Sequence, residues 1–197
     1  MQKNKSFVII HAETVGSLGR NLTKGSVETR GHMSKGIVTI FTGEGRGKTS
    51  AAIGRAIQAA DAGERVVIIQ FLKGRGLKGS EFVRRLEPEI MLFCFEKSDE
   101  SFKDLTEEQQ QEEIRNIKNG LGYAKKVLAT GECDLLILDE VLGLVENEII
   151  SSEELISLID AREETNMILT GINLRDEICF KADEVSKIET IKFKIWE

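Results

Sequence analysis

An α/β fold, with a mainly parallel sheet covered by helices on both faces, is predicted from three observations. Short and nearly continuous apolar runs recur at residues 65–71, 89–95, 134–140 and 166–171, as in strands buried on both faces. Longer stretches with apolar residues at three- and four-residue steps lie between them, as in helices that pack one face on a sheet. Alternating strands and helices connect by right-handed crossovers, which gathers the strand C-terminal ends, and with them the ligand site, on one edge. The 197 residues suffice to bury a core, and a single domain is the expectation.

Residues 1–35 carry scattered Gly, Ser and Thr with no sustained period and read as an appendage. They are either a native extension that covers the site or a cloning remnant ahead of an internal start at Met33 in "GHM". The domain proper spans 36–197. It opens with the β-branched strand "GIVTIFT" (36–42), followed by an alanine-rich helix from Lys48 that Gly63 terminates. "RVVIIQF" (65–71) and "EIMLFCF" (89–95) are the next two strands. A helix over 106–129 then presents Ile114, Ile117, Leu121, Ala124 and Leu128 as one stripe, with Thr106 as N-cap and an acidic first turn. "DLLILDE" (134–140) is the fourth strand, a shorter helix runs over 152–162 behind "SSEE", and "NMILTG" (166–171) is the fifth strand. The terminal run "VSKIETIKFKIW" (185–196) alternates like an edge strand.

Bulk properties exclude several functions. A net charge of −6 supplies no basic field for general nucleic-acid binding, although it leaves room for a local basic pocket. No apolar run approaches the roughly 20 residues of a membrane span, and "SFVIIHA" is too short for a secretory signal, so a cytoplasmic protein is expected. Cys94, Cys133 and Cys179 are far apart, with no CxxC pair and two histidines, which excludes zinc-site spacing. Cys94 and Cys179 sit in apolar stretches as core filler rather than as a disulfide. The acidic run at 96–113 reads as a solvated loop and helix face, since it lacks the glycine of a calcium loop.

The chemistry is concentrated between the first strand and its helix. Residues 42–49, "TGEGRGKT", match the Walker A form G-x-x-x-x-G-K-[ST] except that Thr42 replaces the first glycine. Gly43, Gly45 and Gly47 permit the positive φ angles that turn successive N–H groups inward, and the helix N-terminus adds its dipole, so Thr42, Gly43, Glu44, Gly45, Arg46, Gly47, Lys48, Thr49 and Ser50 form the nucleotide-binding segment. Lys48 and Arg46 are the catalytic cations for terminal phosphates, and the Thr49 hydroxyl is a ligand for Mg²⁺, with Ser50 a weaker candidate. Four apolar residues end in Asp139 and Glu140, a Walker B pattern that brings two further metal ligands to the same edge. An unliganded glycine turn is the bland alternative, and the downstream acidic pair argues against it. A P-loop NTPase (RecA-like) fold follows.

Together these segments resemble the P-loop ATP:corrinoid (cob(I)alamin) adenosyltransferase family. That family reads T-G-x-G-K-G-K-T-T-A-A, then Q-F-x-K-G, L-D-E, T-G and A-D-x-V. Here the matches are residues 42–52, 70–74, 138–140, 170–171 and 182–185. The resemblance implies that the cobalt of a Co(I) corrinoid attacks C5′ of ATP and that the triphosphate leaves whole. It also implies Mg²⁺ or Mn²⁺, a flavoprotein reductant, a homodimer whose N-terminal segment reaches the neighbouring site, and an apolar wall that removes the lower axial ligand of cobalt. The wall's G-F-x-W pattern is matched by "SFKD", with Phe102 retained, and counted as catalytic, and Asp104 where tryptophan stands; an anchor for the loop 96–108 is the alternative for Phe102. Leu142 stands for the family's Asn and Ile172 for its Arg. Lys73 and Glu81 are either phosphate or ribose contacts or solvated charges. The rival readings are a small-molecule kinase or ATPase, with Arg162 and Arg175 as candidate arginine fingers, and a catalytically weakened nucleotide- or corrinoid-binding regulator.

Overall fold

A computed structural model describes residues 35–72, 81–98 and 100–192. The appendage up to residue 34, Lys73 and the end of the terminal run lie outside the described residues.

Among the described residues, six strands form one sheet in the order β3-β2-β4-β5-β1-β6. They are β1 (Val38–Thr42), β2 (Val66–Gln70), β3 (Ile90–Cys94), β4 (Leu135–Asp139), β5 (Asn166–Thr170) and β6 (Glu184–Lys187), and every pairing is parallel. The apolar runs are continuous because both faces are covered, and β2 and β4 are buried along their whole length. Alternate residues serve different cores. Val38, Ile40, Val67, Ile69, Leu136, Leu138 and Leu169 point to one. Val66, Ile68, Ile90, Leu135, Ile137 and Ile168 point to the other.

The first core is closed by α3 (Glu107–Thr130), α4 (Val141–Glu146), α5 (Ser152–Asp160) and α6 (Asp176–Cys179), which supply Ile117, Leu144, Leu155 and Ile178. The second is closed by Ala52 and Ala56 of α1 (Lys48–Asp61), whose small side chains let the helix lie close to the strands. A short α2 (Glu81–Arg84) precedes β3.

Helix ends fall at the expected residues. Thr106 and Gln109 form a reciprocal capping box on α3, as Ser151 and Glu154 do on α5. Gly63, at φ 87°, ends the turn after α1. Several elements differ from expectation, among them the short α2 and α6, which the sequence reading does not contain. The short α4 has no counterpart in the sequence reading, because five of its six residues are buried and no polar face marks a helical period. Among the described residues the terminal run forms a strand over Glu184–Lys187, after which Ile188 and Thr190 bond the P-loop. No disulfide joins Cys94, Cys133 and Cys179, and burial pushes the Cys133 thiol up to about 12, consistent with inert filler.

Candidate active site at the strand C-terminal edge

The P-loop leaves β1 and enters α1. Thr42, in place of a glycine, has a structural role, since its hydroxyl donates to the Ile172 carbonyl at 2.8 Å and the Gly43 N–H donates to the same oxygen at 3.0 Å. The loop is thereby tied to the segment leaving β5. Positive φ occurs at Gly43 (105°) and Gly47 (119°), and Gly45 is not in that region. Gly45 is required by closeness instead, since a Cβ there would lie 2.5 Å from the Ile188 carbonyl oxygen. The amides also divide differently from a uniform inward nest. Those of Gly43, Gly45 and Arg46 donate to Ile172 O, Ile188 O and Thr190 Oγ1. The amides of Lys48, Thr49 and Ser50 precede the first intrahelical bond, Ala51 N–H to Gly47 O, and form the donor-rich end of a 14-residue helix.

Lys48 is buried, and its ammonium donates to the carbonyls of Gly43 (2.6 Å) and Gly45 (3.1 Å), which holds the charge inside the loop. Glu44, Arg46, Gly47 and Ser50 are exposed around it. Beside the loop opens a cleft of about 480 Å³, lined by Gly43, Gly45, Ile172, Asn173, Lys187 and Thr190. Ile172, where the resemblance expects Arg, is exposed there, and the charged groups that line the cleft are Glu44, Lys187 and Glu189.

The second half of the site lies at the end of β4. Asp139 is fully buried, and its two oxygens accept from the Thr49 hydroxyl at 3.0 and 3.1 Å, from Thr170 Oγ1 at 2.6 Å and from Gln70 Nε2 at 2.9 Å. Glu140 caps α4 with φ 64°, and its N–H donates to Thr170 Oγ1 at 2.8 Å. The structure therefore brings Lys48, Thr49, Asp139 and Glu140 to one edge. Gln70 and Thr170 lie within the matched motifs, yet sequence reasoning misses them as site residues; the available signal is a polar side chain ending each otherwise apolar strand.

Phe102 is placed elsewhere. It lies in a 3₁₀ turn (Phe102–Asp104) between β3 and α3, and Lys103 of the same turn pairs with Glu146 of α4 at 3.9 Å. It is half-buried against the larger core, and its carbonyl accepts from Gln110 Nε2, as an anchor for the loop requires, while Asp104 is exposed. Leu142 is buried in α4 and touches Gly171, where a Cβ would come within 2.5 Å of the Leu142 Cβ. Arg162 donates to Gly36 O (2.6 Å) and Ile159 O, and Arg175 to Val145 O, so both guanidiniums serve the scaffold. Glu81 is exposed.

The parallel sheet, the Walker A loop and the hydroxyl–carboxylate contact between Thr49 and Asp139 define a P-loop NTPase fold. Two solved structures share it: the flagellar accessory protein FlaH from Methanocaldococcus jannaschii (TM-score 0.52, 16% identity, 81% of this chain and 73% of that one) and a KaiC-like protein from Pyrococcus horikoshii (TM-score 0.53, 21% identity, 81% and 75%). Within that class, residues 34–197 match the family described as ATP:corrinoid adenosyltransferase BtuR/CobO/CobP, and the chain belongs to it. Curated relatives agree. A corrinoid adenosyltransferase of Escherichia coli K12 is 30% identical over 80% of this chain and 79% of its own length. The corrinoid adenosyltransferase CobA of Salmonella typhimurium is 31% identical over the same shares. No described helix is long and apolar enough to cross a membrane.

Proposed function

We propose that the protein transfers the 5′-deoxyadenosyl group of ATP to the Co(I) centre of a corrinoid and releases inorganic triphosphate. The observation that carries this reading is the family match over 34–197, which includes every strand that builds the site. In the reaction, the cobalt electron pair forms the Co–C5′ bond, and the C5′–O bond breaks with its pair retained by the triphosphate. The protein has to stabilise that departing polyanion and to align carbon with metal.

The residues suit the first requirement. Lys48 is held among loop carbonyls at a fixed position, and the Lys48, Thr49 and Ser50 amides add donors with the helix dipole behind them. Arg46, exposed on the loop, adds a second cation, and Thr42, Gly43, Glu44, Gly45 and Gly47 form the turn that carries Lys48 to the site. Thr49 and Asp139 are hard oxygen donors in direct contact, a pair that suits Mg²⁺ or Mn²⁺ with water and phosphate oxygens as further ligands, and Glu140, next along the chain, is the third candidate. When bound there, the cation supplies compact positive charge for the triphosphate oxygens. Thr49 turns its hydroxyl proton to Asp139, which leaves its lone pairs toward the phosphates.

For the second requirement, Phe102 supplies apolar surface on the 3₁₀ turn between β3 and α3. Its exposed fraction serves as a wall against the lower face of the corrinoid and its buried fraction as the anchor. A flavoprotein electron donor, a homodimer and a cytoplasmic location complete the reading, on the strength of the family resemblance. The test is anaerobic incubation with ATP and chemically reduced corrinoid. The expected result is a light-sensitive Co–C product with one triphosphate per adenosyl group. ADP formation would assign a kinase or ATPase instead, and ATP bound without turnover would assign a regulator.

A further inference from the structure

The buried polar side chains at the end of β4 form a network that the reaction itself does not require. Asp139 is wholly enclosed, so its orientation is set by its donors and not by solvent. Gln70 is its direct partner in the β2–β4 register and donates to Oδ2 at 2.9 Å. Thr170 lies one residue beyond the Leu138–Leu169 pairing, on the opposite neighbour β5, and donates to Oδ1 at 2.6 Å. The same Thr170 oxygen accepts the Glu140 N–H at 2.8 Å. Glu140 is in the left-handed region at φ 64° and ψ 20°, a conformation that costs about 1 kcal/mol or more for a residue with a Cβ and persists only where neighbours enforce it.

We propose that Thr170 is a positioning residue whose single hydroxyl fixes both acids of the β4 terminus, Asp139 through its carboxylate and Glu140 through its backbone, and thereby sets the divalent-cation affinity of the nucleotide site, with Gln70 holding the second Asp139 oxygen. Hydroxyl stoichiometry supports it. One proton goes to Asp139 and one lone pair takes the Glu140 amide, so serine can replace the group and valine cannot. Thr49 receives its orientation at second hand, since the carboxylate that accepts its proton is the one held by Thr170 and Gln70.

This inference rests on the reading that Thr49, Asp139 and Glu140 hold the cation, and the experiment separates the two. Full-length wild type, Thr170→Ser, Thr170→Val and Gln70→Leu are titrated with Mn²⁺ at ATP equimolar with protein, and protein-bound Mn²⁺ is followed by water-proton relaxation enhancement over an ATP-only blank, because ATP alone chelates Mn²⁺. ATP affinity without metal and the thermal midpoint are measured alongside. Thr170→Val should weaken Mn²⁺ roughly ten- to hundredfold, Gln70→Leu about tenfold and Thr170→Ser less than about threefold, with metal-free ATP affinity changed less than about twofold. Equal Mn²⁺ affinity in wild type and Thr170→Val overturns the inference alone, as does a Thr170→Ser variant as weak as Thr170→Val. Absence of ATP-dependent Mn²⁺ uptake by wild type overturns the cation reading and the inference with it. Should Thr170→Val fail to fold, the pair Thr170→Ser and Gln70→Leu decides: an unchanged Gln70→Leu counts against the network.

Discussion

The P-loop end of the site and the turn that carries Phe102, proposed above as the triphosphate and corrinoid sides, are held by different forces. On the first, Thr42, Lys48, Thr49, Gln70, Asp139 and Thr170 come from four strands and one helix, and each has a hydrogen-bond partner within 3.1 Å. On the second, Phe102 and Asp104 sit on a three-residue turn after the edge strand β3, held by packing and by the Gln110 amide. A charged leaving group needs preoriented dipoles in a water-poor site, because reorienting them during the reaction would cost what they gain. A ligand face needs only apolar surface at the right height, which many side chains provide. The two sides therefore tolerate sequence change unequally, and substitutions should separate them.

The largest effect belongs to the triphosphate side. Lys48→Ala removes the buried cation while leaving the helix with its preferred residue, so the fold should persist. Adenosyl transfer should fall about 10²- to 10³-fold, the scale of one lost preorganised contact in the transition state. Far-UV circular dichroism with turnover under saturating corrinoid checks it. Activity within a few-fold of wild type would remove Lys48 from the leaving-group site and erase the contrast.

Leu142→Asn addresses the boundary between the two sides. If position 142 faced a corrinoid, restoring the family's Asn would raise turnover. Leu142 is buried beside Gly171, so the amide would enter the core without a place to fit. A destabilisation of about 2–4 kcal/mol is expected, read as a lower urea midpoint at constant slope, with no gain in turnover. Neutral stability with higher turnover would put this part of α4 in the second substrate's site.

Phe102→Ala should then act on the corrinoid side alone. Half the apolar surface of a phenylalanine contributes about 1.4 kcal/mol, or about tenfold in rate. That loss should appear with Co(II) corrinoid and a weak reductant and shrink when Co(I) is prepared chemically, because the wall acts on the reduction and not on the transfer. Equal losses under both conditions would leave Phe102 as an anchor only.

The same contrast accounts for which parts of the molecule are legible in its sequence. The strand runs are unambiguous because a parallel sheet covered on both faces demands uninterrupted Val, Ile and Leu, as in β2 and β4. The P-loop is legible because glycines, lysine and threonine are contiguous. Thr170 and Gln70 are hidden, although they sit in recognisable motifs, because their roles arise from the strand order: residues 70, 139 and 170 become neighbours only when β2, β4 and β5 pair. The division of the loop amides depends on Ile188 and Thr190, more than 140 positions downstream. Helix α4 carries no signal because a helix buried all round shows no period. Phe102 is ambiguous for a physical reason, since wall and anchor require the same apolar ring.

The smallest effect provides the control for the whole comparison, at the opposite edge of the sheet. Arg65 binds Asp134 there through its guanidinium at 3.1 Å and its backbone N–H at 2.8 Å, and these bonds hold the Asp134 carboxyl below its usual value. A carboxyl with a depressed folded pKa contributes stability that is fully present above the unfolded value of about 3.9 and is lost as pH falls through the folded one. Both side chains are substantially exposed, at 59% and 44%, so solvent screening keeps the pair's contribution small. Asp134→Asn should lower the urea midpoint slightly at pH 7 and flatten the loss of stability below about pH 4. Adenosyl transfer at saturating substrates should stay unchanged. A large loss of transfer in this variant would mean that the two edges of the sheet are coupled, and effects at the site could then no longer be assigned to local contacts.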